Sequence, residues 1–112
     1  MSKNKLNIPD ILKDMSEVSK KILKSNWKKV RPMAELQLKS ILHNLEQIAE
    51  LKIKGKITEE QAKLHLKIQK ESIRTILLSF EGIGIIAAEQ VINESLGVIK
   101  NAANKYIGWK LL

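Results

Sequence analysis

Glu81-Gly82-Ile83-Gly84-Ile85-Ile86-Ala87-Ala88-Glu89 is the stretch on which the fold turns. Two glycines invite a break here, since each is about 1 kcal/mol worse than alanine inside a helix. The flanking pattern argues the other way. At about 100° per residue, Ile73, Leu77, Phe80, Gly84, Ala88, Val91, Ser95, Val98, Ala102, Tyr106 and Trp109 fall on one line. That line keeps its phase across Gly82-Ile83-Gly84, so the spacing predicts one long C-terminal helix over about 58–107, with 82–84 as a candidate hinge. At a rise of about 1.5 Å per residue, such a helix would span about 75 Å.

Upstream, Thr58-Glu59-Glu60-Gln61 reads as a capping box, in which Thr58 and Gln61 each satisfy an amide that the helix start leaves unpaired. Lys54-Gly55-Lys56 just before it offers a glycine for a left-handed cap and lysines for the negative helix end. A tight reversal follows, and with it an antiparallel helical hairpin. The hairpin's first arm, about 33–54, places Ala34, Leu38, Ile41, Leu45 and Ile48 on one stripe. An additional N-terminal helix, about 8–30, is signalled by Asn7-Ile8-Pro9-Asp10 and by the spacing of Ile8, Ile11, Leu12, Met15, Val18 and Ile22. Pro32 disfavours helical geometry at Arg31 and so marks the expected boundary between these two helices. The chain thus reads as all-α and a single domain over residues 1–112: an elongated hairpin with an extra N-terminal helix, in an oligomeric bundle.

The oligomer is inferred from excess apolar surface. Around residues 76–92 the long helix is apolar on nearly every side, because Ile76, Ile83 and Ile86 stand opposite the main stripe. Two shorter helices cannot cover both sides, and an exposed apolar patch of this kind usually marks an interface. The expected interface comprises Ile76, Phe80, Ile83, Gly84, Ile86, Ala87, Ala88 and Val91, with Gly84 and Ala88 allowing close helix approach. A membrane span over 76–99 is disfavoured by Glu81, Glu89 and Glu94, each about 2.5–3.5 kcal/mol unfavourable near a bilayer centre. Arg74 and Glu81 lie within or at the edge of the apolar arc, where each either reaches water or pairs with another helix.

Charge sits at the other end of the chain. Residues 1–32 carry nine Lys/Arg against three Asp/Glu, whereas residues 81–112 carry three of each. Lys20, Lys21, Lys24, Lys28, Lys29 and Arg31 put six positive charges into twelve residues, with Trp27 among them and no acid. Such a run suits nucleic acid or an anionic membrane surface, and equally a solvated face that keeps a protein soluble. With only Arg31 and Arg74 as arginines, base-specific DNA reading is not expected.

Catalytic chemistry has little to build on. There is no cysteine, no paired acid and base, no nucleophile constellation and no phosphate-loop ending after the glycine pair. His43, Glu46 and Glu50 share a helical surface, but it is the polar one. No cofactor, metal or small-molecule substrate is therefore expected. The basic start, including Lys3 and Lys5, leads into Ile8-Pro9-Asp10 rather than an apolar signal core, which predicts a cytoplasmic protein. The leading expectation is a non-enzymatic structural or interaction subunit, self-associating through its C-terminal helix or binding a helical partner. The alternative is a basic module that holds nucleic acid or an anionic membrane through residues 20–31.

Overall fold

The computed structural model describes residues 6–112, so Lys3 and Lys5 lie outside the described residues. Among the described residues the chain is all-α. It forms α1 (Ile8–Leu23), a 3₁₀ turn (Lys24–Asn26), α2 (Trp27–Ile53), α3 (Glu59–Leu78) and α4 (Ile85–Ile107). The four helices bury one shared apolar core in a body of 43 × 25 × 19 Å.

Three helix ends follow the local signals. Asn7 caps α1 by accepting from the Asp10 amide, with Pro9 in the first turn. Thr58 and Gln61 form the complete capping box of α3, at 3.1 and 2.9 Å. Gly55 has φ of +67° at the α2–α3 reversal, a conformation that glycine adopts without strain. These two helices form the expected antiparallel hairpin, with Ser72 Oγ donating to Gln37 Oε1 at 3.2 Å between them.

Two boundaries differ from expectation. The single helix over 58–107 is in fact two helices, broken over residues 79–84 and folded back on itself. Gly82 has φ of +92°, and Gly84 is the extended N-cap of α4. Backbone bonds from Phe80 N to Leu77 O and from Ile83 N to Phe80 O close the turn. A straight helix would leave the apolar faces of both halves without cover; the fold-back brings Ile73 and Leu77 into the same core as Ala88 and Val91. Burial at about 25 cal/mol per Å² readily outweighs the few helical hydrogen bonds given up.

The other break falls at Lys24–Asn26 instead of at Pro32. Lys24 takes a φ of +53° there, while α2 runs on through an exposed Pro32 in its second turn. The tertiary arrangement supplies the reason. α1 runs antiparallel to α4, with Ser19 and Ser95 bonded at 3.1 Å across the contact. Both serines are fully buried, and their small side chains let the two helices approach closely. The chain must reverse right after Leu23 for Trp27, Val30, Ala34 and Leu38 to enter the same core from the other side.

Candidate binding surface at one end of the bundle

The corner between α1 and α2 divides the basic run. Lys20 and Lys21 close α1, Lys24 occupies the 3₁₀ turn, and Lys28, Lys29 and Arg31 lie in the first turns of α2. All six are exposed. Arg31 forms an ion pair with Glu35 at 3.2 Å. Lys29 donates to the Glu81 carbonyl at 2.8 Å. Among the described residues, Lys20, Lys21, Lys24 and Lys28 have no acidic group within ion-pairing distance. Four cations therefore stand near one chain reversal without a direct ion pair. Trp27, which the sequence places among them, is only 6% exposed and packs into the core, so it offers no face for stacking on a base.

The expected interface residues divide three ways. Ile83, Ala88 and Val91 are buried inside the chain's own core, while Ile76, Phe80 and Ala87 are partly covered. Gly84 and Ile86 remain exposed. The fold-back thus covers the middle of that surface intramolecularly and leaves its tip. Ile86 is 78% exposed and Ile85, its neighbour in the first turn of α4, 68%. The sequence pattern does not single out Ile85, because it lies in phase with the core face of α4; it is exposed only because it stands at the helix start.

Two contacts place this apolar tip at the lysine-rich corner. Asn26 Nδ2 donates to the Gly82 carbonyl at 3.4 Å, and Lys29 reaches the Glu81 carbonyl beside it. Both hold the 79–84 turn against the start of α2. Gly84 brings no side chain to cap α4, and there is no acid in that helix's first turn, so the positive end of the helix dipole adds to the local potential.

A cleft of about 550 Å³ opens beside this corner, lined by Leu12, Ser16 and Lys20 from α1 and by Lys28, Arg31 and Glu35 from α2. Its polar groups largely satisfy one another: Ser16 Oγ donates to Glu35 Oε2 at 2.8 Å, and Glu35 also holds Arg31. Glu17 at its edge lowers its positive charge further.

Arg74 finds its partner within the chain. Its guanidinium forms a two-point contact with the Glu89 carboxylate across the α3–α4 fold-back, and it also pairs with Glu71. The hydrogen bonds from Arg74 hold the Glu89 carboxyl below the usual carboxylate range, and Glu89 with Glu71 holds the guanidinium charged. Glu81, by contrast, is exposed in the turn. Because the folded state lowers the affinity of Glu89 for a proton, this pair's stabilisation is fully present above the usual carboxylate range and is lost as pH falls through the depressed folded value. Glu89→Gln is accordingly expected to lower the melting temperature at neutral pH, with the gap from wild type closing in acid. Thermal unfolding against pH measures this, and a gap that is independent of pH would refute it.

His43 Nδ1 lies 3.8 Å from Glu46 on the solvent side of α2. Among the described residues, no group of three or more His, Asp or Glu is placed to hold a metal ion, and no helix is long and apolar enough to cross a membrane. Comparison with known protein families, with curated proteins and with solved structures finds no match to this chain.

Proposed function

We propose that this chain is a non-enzymatic, cytoplasmic interaction module that docks on a polyanionic partner through the end of the bundle where the Lys24–Asn26 turn meets the 79–84 turn. The observation that supports it is the set of exposed lysines at 20, 21, 24 and 28 about one chain reversal, none of them ion-paired among the described residues, although Glu17 and Glu35 lie nearby in the adjoining cleft. Charges that keep a protein soluble need only be dispersed; here they are concentrated where the dipole of α4 also begins. Attraction of this kind rests on counterion release and local potential, and is therefore strongly salt-dependent.

The test is binding of the full chain to duplex DNA and to vesicles containing phosphatidylglycerol, each at several salt concentrations. At low salt at least one should bind, with affinity falling steeply as salt rises. Changing Lys20, Lys21, Lys24, Lys28 and Lys29 to glutamine should abolish that binding while the helical circular dichroism stays intact. Absence of binding to both polyanions at low salt overturns the proposal.

Self-association, or docking of a helical protein partner, is a second reading, favoured by the exposure of Ile85 and Ile86. Gly84→Leu and Ile86→Lys probe it cleanly. A side chain at Gly84 meets nothing within 4 Å, and Ile86 already faces solvent, so the monomer tolerates both. Light scattering that shows an oligomer for the wild type and a monomer for these variants would support this second reading.

A further inference from the structure

We infer that the polyanion is the surface of an anionic lipid bilayer, entered by Ile85 and Ile86 while the surrounding lysines hold lipid phosphates. The inference rests on the polyanion-docking function above and supplies its partner. Two features with opposite demands meet at one end of the bundle. Ile85 and Ile86, at 68% and 78% exposure, form a small apolar tip in the first turn of α4. Beside it, Asn26 and Lys29 clamp the 79–84 turn to the corner that carries Lys20, Lys21, Lys24 and Lys28. A bilayer surface presents the same sequence of environments along its normal, anionic phosphates outside and hydrocarbon a few ångströms further in. Apolar side chains that enter about 5–10 Å sit at the acyl boundary, and lysines around them stay at headgroup level with their stems on apolar ground.

Alternative occupants match less of this surface. Nucleic acid supplies phosphates but gives two isoleucines nothing to enter, and the aromatic within the basic run, Trp27, is buried. A second copy would have to cover roughly 800 Å² per partner for a standard interface. Two isoleucines fall well short of that, and a symmetric contact would bring lysine corner against lysine corner. Glu81 is the acid exposed in this turn. Lys29 engages its backbone carbonyl, so the carboxylate is left free to turn to water.

The experiment compares co-sedimentation of the full chain with vesicles of phosphatidylcholine alone, with vesicles of phosphatidylcholine mixed with phosphatidylglycerol, and with duplex DNA in solution. Binding is expected to the mixed vesicles and not to the neutral ones. The Ile85→Ser, Ile86→Ser double variant should partition at least about tenfold more weakly. Its DNA affinity and melting curve should not change, because both side chains face solvent. Each Lys→Gln substitution at 20, 21, 24 or 28 should weaken partitioning by about fivefold. The chain contains no cysteine, so Ile86→Cys gives a single labelling site; an environment-sensitive dye there should shift to shorter wavelength on the mixed vesicles only. DNA binding without vesicle binding would overturn the inference and leave the proposed function standing. Vesicle binding that the double serine variant leaves intact, or a dye that stays in water, would overturn it too. Failure to bind either polyanion would overturn both.

Discussion

Trp27→Ala is expected to lower the unfolding free energy by about 3–5 kcal/mol, the range for truncating a large buried aromatic. Trp27 is the first residue of α2, directly after the turn that reverses the chain, and it is buried against the core beside Val30 and Leu23. Removing it leaves a void at the corner that small neighbours cannot close, since the backbone there is fixed by Lys24 at positive φ and by the Asn26 contact to Gly82. Urea unfolding followed by circular dichroism measures the loss. A change below about 1 kcal/mol would show that Trp27 is not a core residue and would return it to the surface role that its lysine neighbours suggest. Trp27→Phe should recover much of the stability, because it restores most of the buried area.

Leu45→Ala should lower stability by about 2–5 kcal/mol. Leu45 lies in the C-terminal half of α2, which like α4 touches all three other helices, and is fully buried together with Ile41, Leu42 and Ile48. A domain of this size has on the order of 5–15 kcal/mol in total, so the variant loses a large share of it. The melting midpoint should fall by roughly 10 °C or more. The comparison that discriminates is Leu64→Ala. Leu64 is apolar too, but it is exposed on the outer face of α3, and its truncation should change stability by less than about 0.5 kcal/mol. Equal losses at the two positions would contradict the packing described above.

The contrast between Leu45 and Leu64 also shows what periodicity can and cannot reveal. The stripe through Leu38, Ile41, Leu45 and Ile48 is apolar in sequence and buried in the structure. Local rules were enough for that, and for the all-α class, the Thr58–Gln61 box and the Gly55 reversal, because each depends on residues within a turn or two of one another. Arg74 is different. Its spacing shows that it needs a partner or water, but Glu89 becomes that partner only once the chain folds back at Gly82.

The same limit applies to the candidate surface. The lysines at 20–31 are plain in the sequence, and so is the apolar character of 76–92. Their meeting is not. It depends on the Asn26 and Lys29 contacts, which span more than fifty positions of sequence. Ile83 and Ile86 look equivalent as exposed isoleucines in the pattern, yet one fills the core beneath the turn and the other points to solvent.

By itself, then, the sequence determined the buried stripe of α2, where three helix ends lie, and that six cations cluster in one short run. In α4 the expected line is exposed at Val98 and Ala102, and the core face runs instead through Ile92, Leu96, Ile99 and Ala103. Only the tertiary structure decided that the chain reverses at Lys24–Asn26 and at 79–84. A phase-preserving pattern says that two segments share an apolar direction and nothing about whether the backbone between them is straight. That choice is made by the area which all four helices bury together, a quantity no local window of residues contains.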